Sequence, residues 1–233
     1  MSGAVQGTKG QEKILRTLIV SGGTIDRDFA LSFIRDYRPE YCVAADRGLA
    51  FCEAAGLQPD YIVGDFDSLP DGRLEQYLSG HDVPVRTFNP VKDATDTEIA
   101  LRHAIGAGAG RIVLLGVTGG RMDHFLACLQ CLHISLKAGV SAWIVDPCNR
   151  ISLHDRDFSI ERKKQFGTFV SFFPAGEAVE NLTLEGFKYP LHNHRLVNAD
   201  SLGVSNEIQE ETARVFFTSG LLYMVQSRDR KNG

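Results

Sequence analysis

Tyr61-Ile-Val-Gly-Asp-Phe-Asp-Ser68 is the stretch on which the reading of this chain turns. The apolar run 61–63 predicts a short buried strand. It ends at Gly64 and delivers Asp65 and Asp67, two residues apart. If the extended conformation persists to Asp67, side chains alternate and both carboxylates face one side. Like charges held that close raise each other's pKa unless a cation shares them. A hard divalent ion with oxygen ligands, such as Mg²⁺, provides that relief. A strand running into an Asp/Ser turn accounts for the same residues without a metal. The surrounding chain has to decide between them.

Toward the N-terminus, Leu15-Arg-Thr-Leu-Ile-Val20 predicts a strand that runs into Ser21-Gly-Gly-Thr24. Gly22 and Gly23 either let backbone approach a ligand closely or make a tight turn. The full dinucleotide fingerprint and the phosphate-loop pattern are both absent from the sequence. Residues 41–45 form a second predicted strand, ending in Asp46-Arg47-Gly48. Helices are predicted over 28–35 and 49–55, the latter stopped by Gly56. Asp46 has a plain structural use as the cap of the second helix.

Toward the C-terminus, a helix is predicted over 73–78 and a fourth strand over Val83-Pro-Val-Arg-Thr-Phe88. Lys92-Asp-Ala-Thr-Asp-Thr-Glu-Ile-Ala-Leu101 follows, in which Thr95-x-x-Glu98 has capping-box spacing, so a helix starts here and runs to about 107. Asp93 and Asp96 fall at its positive end, where each acid contributes about 0.3–1 kcal/mol. That stabilising role explains the acids but leaves Lys92 unexplained. Arg111-Ile-Val-Leu-Leu115 is a strong strand, followed by Gly116-Val-Thr-Gly-Gly-Arg-Met-Asp-His124 and an apolar helix over 122–137. A strand over 140–145 closes at Asp146-Pro147.

Strand and helix therefore alternate through residue 147, which argues for a mostly parallel sheet with helices on its faces. Ligands of such sheets sit beyond the carboxyl ends of the strands. Ser21–Thr24, Asp46–Gly48, Asp65–Ser68 and Thr118–His124 all fall there, and 92–98 opens a helix that can face the same crevice. From Asn149 the texture changes to short alternating segments, at 151–154, 158–161, 168–173, 179–185, 214–218 and 221–226, separated by turn residues. The expected architecture is an α/β domain over 14–147, followed by a smaller all-β sandwich over 148–233.

Composition bounds the function classes. The chain has 233 residues, 43% apolar and 23% charged, ordinary for a globular protein. A net charge of −4, with no Lys/Arg-rich run, provides no footprint for nucleic acid. No apolar run approaches the roughly 20 residues needed to span a bilayer. Residues 1–13 are polar and Gly-rich, without a signal-peptide centre, and read as a disordered leader. Five cysteines, an odd number, argue for reduced thiols and a cytoplasmic location. Cys128-x-x-Cys131 lies in a helical apolar pattern with no second pair, which favours core cysteines over a zinc site.

The inferred crevice holds several carboxylates, a lysine, an arginine beside glycines, helix N-termini and a histidine. Helix N-termini and Gly-rich backbone bind phosphate. Acids that hold Mg²⁺ on substrate phosphates, beside cations that neutralise the transferring group, are the parts phosphoryl transfer requires. Electrostatics alone favours a Mg-nucleotide or phosphate-ester enzyme.

Four ordered motifs add a resemblance. GDFDS at 64–68, KDATDTEIAL at 92–101, GGRMDHFLA at 119–127 and GVSNEI at 203–208 resemble thiamine pyrophosphokinases, and AADRG at 44–48 fits the same family. The resemblance implies transfer of a diphosphoryl group from ATP to the thiamine hydroxyl, in a cytoplasmic homodimer with thiamine bound between subunits. By motif, Asp46, Asp65, Asp67 and Asp96 are implied to form the acidic Mg²⁺ and substrate cluster. Lys92 and Thr95 belong to the substrate side, with Gly22 and Gly23 also at the nucleotide site. Arg121, Asp123 and His124 face the nucleotide phosphates, and Ser205 and Asn206 close the thiamine pocket from the β domain. Asp65, Asp67, Asp96 and Arg121 are then the catalytic set, with Asp96 taking the hydroxyl proton.

Two departures stand out. Cys128 stands where the family commonly has asparagine, and Trp143, in the first domain, is the only tryptophan, whereas vertebrate-type members place one near the C-terminus. Rival readings also exist. Asp65-Phe-Asp-Ser-Leu69 is similar to the nucleophile motif of haloacid-dehalogenase-type phosphatases, but that motif wants Thr or Val at Leu69 and opens a first strand. A calcium loop fails because Leu69 and Gln76 occupy ligand positions. A non-catalytic nucleotide- or thiamine-binding module is the other alternative.

Overall fold

Apolar runs without polar interruption require cover on both faces of a strand. Leu18, Ile19 and Val20 are each fully buried, as are Val43, Ala44, Ile62 and Val63. The computed structural model describes residues 14–66, 70, 72–87 and 94–230. The expected leader over 1–13 lies outside them.

The α/β half runs β1 (Leu15–Val20), α1 (Arg27–Tyr37), β2 (Tyr41–Ala45), α2 (Gly48–Ala54), β3 (Tyr61–Gly64), α3 (Arg73–Leu78), β4 (Val85–Thr87), α4 (Asp96–Gly106), β5 (Ala109–Leu115), α5 (Met122–Lys137) and β6 (Ser141–Val145). The β half follows as β7 (Asn149–His154), β8 (Phe158–Glu161), β9 (Phe169–Pro174), β10 (Ala178–Glu185), β11 (Leu191–Val197), β12 (Asn206–Glu207), β13 (Thr212–Phe216) and β14 (Leu222–Ser227). The predicted fourth strand starts at Val85 rather than Val83, its expected last residue, Phe88, lying outside the described residues, and β11 and β12 went unread in the sequence. Asn206 belongs to β12. Alternation is broken there: Asn193 takes a left-handed φ of 48° within β11, and β12 has two residues.

In the first sheet the order is β12-β9-β14-β7-β6-β5-β1-β2-β3-β4. Strands β6-β5-β1-β2-β3-β4 are parallel. The order reverses at β1, which pairs with both β2 and β5. One face of this sheet packs Leu18, Val20, Ala44 and Ile62 against Ala30 and Ile34 of α1, Leu49 and Cys52 of α2 and Tyr77 of α3. On the opposite face Ile19, Val43, Val63, Ile112 and Leu114 meet Ala100, Leu101 and Ala104 of α4 and Cys128, Cys131 and Leu132 of α5. The Cys128/Cys131 pair is thus core, as its apolar pattern predicted. Each fully buried Leu or Ile there contributes about 1.5–3 kcal/mol relative to an exposed one.

The sheet does not stop at residue 147. Asp146 Oδ1 accepts from the backbone N–H groups of Cys148 (2.7 Å) and Asn149 (2.8 Å) and reverses the chain. Strand β7 therefore returns antiparallel beside β6, pairing Ile151 with Ile144. The antiparallel end β12-β9-β14-β7 then faces a second sheet, β11-β10-β13-β8. Val170, Phe172, Leu222 and Met224 from the first sheet pack on Val179, Leu182, Leu184, Val215 and Leu196 of the second. This is the sandwich, and one of its layers is an extension of the α/β sheet.

Burial at the sandwich edge gives a pH signature. His154, at the end of β7, stacks on Phe158 (centroids 3.9 Å apart) and its Nε2 lies 2.9 Å from Ser152 Oγ. Desolvation pushes its pKa down from the ordinary 6.5 to about 4. Between those values the unfolded chain binds the proton and the native chain does not, so stability falls as pH drops from about 6.5 to 4. The expected loss is on the order of 3 kcal/mol, and His154→Gln should remove that share of the acid sensitivity. Urea denaturation of both proteins at pH 7 and pH 4.5 measures it; equal pH dependence overturns the assignment.

Candidate active site

Strand register decides which loops meet. Val20 pairs with Ala44 on one side and with Leu115 on the other, and Ala45 pairs with Val63. Gly22 therefore comes level with Asp46, and Ser21 with Gly116, while Asp65 projects one residue beyond Asp46. All of them open into one cavity of about 770 Å³ at the carboxyl ends of β1, β2, β3 and β5. This is the strand-order reversal, where α/β sheets bind ligands.

The β1 loop lies directly on the β5 loop. Gly23 N–H donates to the Gly116 carbonyl (2.7 Å), Thr24 N–H to the Thr118 carbonyl (3.2 Å) and the Thr24 hydroxyl to the Gly119 carbonyl (2.9 Å). A Cβ on Gly23 would sit 2.5 Å from the Gly116 oxygen, so only glycine permits this approach. The pair read in the sequence as either a turn or a ligand cradle serves here to join two loops that both line the cavity.

At the end of β3 the chain leaves extended geometry sooner than expected. Phe66 has φ 60°, and Asp46, which follows β2 level with Gly64, has φ 51°. Such a backbone is uncommon for a bulky residue and tends to cluster at functional sites. Phe66 packs back onto the core with its ring edge 3.2 Å from where a Gly64 Cβ would lie. Asp65 stays half-buried in the cavity wall. The alternation that was to place Asp65 and Asp67 on one side therefore ends at Gly64; Asp67 and Ser68 lie outside the described residues.

Helix α4 brings its N-terminus to the same cavity. Thr95 caps it, its hydroxyl oxygen accepting from Glu98 N–H at 3.2 Å. The Glu98 carboxylate turns to Arg102 instead (Nε to Oε1, 2.9 Å). Asp96, the first helical residue, and Thr97 line the cavity. Thr97 is buried, and its hydroxyl lies 2.9 Å from the buried Ser21 hydroxyl, tying α4 to β1. Cys128 of α5 closes the floor; burial raises its thiol pKa, partly opposed by a hydrogen bond with Thr97. A buried thiol thus forms part of the cavity lining.

Helix α5 presents Arg121 and His124 to the cavity. Both are exposed, as is Asp123. Arg121 grips Asp123 with two bonds, Nε to Oδ1 at 3.1 Å and Nη2 to Oδ2 at 2.5 Å. The guanidinium holds the Asp123 carboxyl down at about 2. Asp123 also accepts from His124 N–H (2.9 Å), so it orients Arg121 at the helix start.

Of the residues expected at one site, Gly22, Gly23, Asp46, Asp65, Thr95, Asp96, Arg121 and His124 line this cavity, with Asp123 bonded to its wall. Lys92 and Asp67 lie outside the described residues. Ser205 and Asn206 do not line it within this chain. Asn206 is buried, accepting from Tyr189 N–H (3.0 Å) and donating to the Tyr189 carbonyl (2.7 Å). Ser205 is exposed beside it with φ 55°. Ser21, Arg47, Thr97 and Thr118 also line the cavity and were not singled out for a role. Their signal was position: Ser21 directly follows β1, Thr118 lies in the loop after β5, and Arg47 and Thr97 lie at helix starts.

Among the described residues, no three His, Cys, Asp or Glu side chains gather closely enough to hold a metal ion by themselves. Half-buried Asp46, Asp65 and Asp96 nevertheless put oxygen donors around one cavity. That donor set suits Mg²⁺, which is commonly bound by one or two carboxylates together with substrate phosphates. Among the described residues no helix is long and apolar enough to cross a membrane.

An open α/β sheet whose reversal point holds carboxylates, guanidinium groups and helix N-termini defines a phosphate-handling enzyme. Comparison with known proteins narrows the class. Residues 37–144 match the thiamin pyrophosphokinase catalytic domain, and residues 157–222 match the thiamin pyrophosphokinase vitamin B1 binding domain. Thiamine pyrophosphokinase of Bacillus subtilis is 32% identical over 191 residues, covering 80% of this chain and 87% of the relative. Its crystal structure superposes with a TM-score of 0.83, covering 92% of this chain and all of that one. The Geobacillus thermodenitrificans thiamin pyrophosphokinase structure is 33% identical, with a TM-score of 0.79 over 93% of this chain and 99% of that one. The chain belongs to the thiamine pyrophosphokinase family, and it is an enzyme of that kinase class. The phosphatase and non-catalytic readings are thereby disfavoured.

Thr95→Ala removes the α4 cap and should cost about 1 kcal/mol, whereas Thr95→Ser retains it. Chemical denaturation separates the two; equal stability of Thr95→Ala and wild type overturns the capping role.

Proposed function

We propose that the cavity transfers a diphosphoryl group from ATP to the hydroxyl of thiamine, yielding thiamine diphosphate and AMP. The observation that carries this reading is the meeting of four strand ends and two helix N-termini in one cavity walled by Asp46, Asp65, Asp96, Arg47 and Arg121. In the reaction the thiamine oxygen bonds to the β-phosphorus, and the bond from that phosphorus to the oxygen bridging the α-phosphate breaks. The bond's electrons leave on AMP, and the hydroxyl proton passes to a carboxylate, a role this reading gives to Asp96 at the start of α4.

The chain's own contribution is positioning and electrostatics. Arg121, oriented by Asp123, and His124 meet the phosphates at the start of α5, and Gly22 and Gly23 hold the backbone beneath them. Thr95 fixes the helix that carries Asp96, and Lys92 belongs to the same substrate side. The acidic wall attracts the positive thiazolium of thiamine. Asp46, Asp65, Asp67 and Asp96 are the residues that would hold Mg²⁺, which when bound would supply charge neutralisation of the transferring phosphates. Ser205 and Asn206, remote from the cavity of their own chain, close the thiamine pocket of a second subunit in a homodimer. Five free cysteines agree with a cytoplasmic setting.

Purified protein with ATP, Mg²⁺ and thiamine should form AMP and thiamine diphosphate, each product requiring all three. Phosphate released from an aryl phosphate without ATP would favour the phosphatase, and binding without turnover the regulatory module. Asp67→Asn should keep the fold and lower kcat by at least about 100-fold, because an amide is a poorer ligand for Mg²⁺; wild-type rates remove Asp67 from the site. Light scattering should find a dimer, and an active monomer would overturn the shared pocket.

A further inference from the structure

Arg47 lines the cavity but enters none of the roles above. It follows Asp46 at the end of β2 and is exposed; its carbonyl accepts from Ala50 N–H (3.1 Å), but its side chain makes no hydrogen bond or ion pair among the described residues. Arg121, on the opposite flank, is committed to Asp123 through two bonds. The two arginines flank the β1 loop, because β1 lies between β2 and β5 in the sheet. The contact on the β2 side is close: the position a Gly22 Cβ would take is 3.0 Å from Arg47 Cβ and 3.4 Å from Asp46 Oδ2. An anion lying over Ser21–Gly23 therefore has an arginine on either side, and the one beside the acids has no competing side-chain partner among the described residues.

We infer that Arg47 is a phosphate-binding residue, contacting the β- and γ-phosphates of the nucleotide while Arg121 holds the other flank. The assignment rests on the nucleotide reading of the cavity. It deepens that reading by placing the transferred diphosphoryl group on the β2 side, next to Asp46 and Asp65. Guanidinium suits the task because its charge is permanent and its planar fork pairs with two phosphate oxygens at once. An exposed arginine without a side-chain partner among the described residues breaks no ion pair with them on binding, so its interaction with the ligand is not offset by one.

The test is calorimetric titration of the full chain, with Mg²⁺, using α,β-methylene-ATP, whose bridge to the β-phosphorus cannot be cleaved, and AMP. Arg47→Ala should weaken the analogue roughly tenfold or more and leave AMP within about twofold of wild type. Arg47→Lys should recover part of the loss, which a merely structural role would not do, and in turnover the KM for ATP should rise while that for thiamine holds. Thermal melting of Arg47→Ala should match wild type, since no side-chain hydrogen bond or ion pair among the described residues is removed. Unchanged affinity for the analogue, or an equal loss for AMP, overturns the assignment. Failure of the wild-type protein to bind the analogue sinks the nucleotide reading itself, and this role with it, whereas wild-type binding unaffected by Arg47→Ala sinks this role alone.

Discussion

Strand β1 pairs in parallel with β2 on one side and β5 on the other, and the level at which those ladders end determines the site. Because Val20 is opposite both Ala44 and Leu115, the loops after the three strands emerge within a single residue of one another. A one-residue slip would turn every buried side chain of β1 to the opposite face. With Leu18, Ile19 and Val20 buried against helices on both sides, the core holds the register that the chemistry needs. Position of the polar groups is thus enforced by apolar packing well below them.

Above that frame, the polar groups divide by what they are bonded to. Ser21 and Thr97 satisfy each other and join β1 to α4. Thr95 spends its hydroxyl on the helix it caps, and Asp123 spends its carboxylate on Arg121 and the His124 backbone. These residues hold the walls. Arg47 holds nothing among the described residues, which marks it as a group available to a ligand. The left-handed backbone at Asp46 and Phe66 belongs to the same economy of placement, since it turns the chain at the strand ends and returns Phe66 to the core.

The two halves of the protein share a sheet. Asp146 folds the chain back so that β7 continues the hydrogen-bonded ladder of β6, and the antiparallel strands beyond it form one layer of the sandwich. Continuous pairing makes the sandwich rigidly continuous with the site-bearing sheet. The segment 203–208 is anchored in that layer through Asn206 on Tyr189 and Ser205 N–H on Ser171 Oγ (2.9 Å), away from its own chain's cavity.

Local chemistry was legible without coordinates. Uninterrupted apolar runs specify strands buried on two faces, Thr95-x-x-Glu98 specifies a helix start, and Asp46, Asp65 and Asp96 lie directly after strands or at that start, where an α/β sheet collects its ligands. The apolar spacing around Cys128 and Cys131 specified core thiols. What the sequence did not contain was the partner of each strand: nothing in residues 141–154 says that β6 and β7 pair, nor does alternation reveal the irregular β11 or the two-residue β12. It also did not say that Phe66 leaves the extended conformation, that Ser21 meets Thr97 across 76 positions, or that Arg47 ends beside Gly22. Side-chain pattern records which face of an element is buried, a local property of spacing. Which loops meet, and which charged group is left without a partner, depends on long-range register, and that exists only once the sheet has assembled.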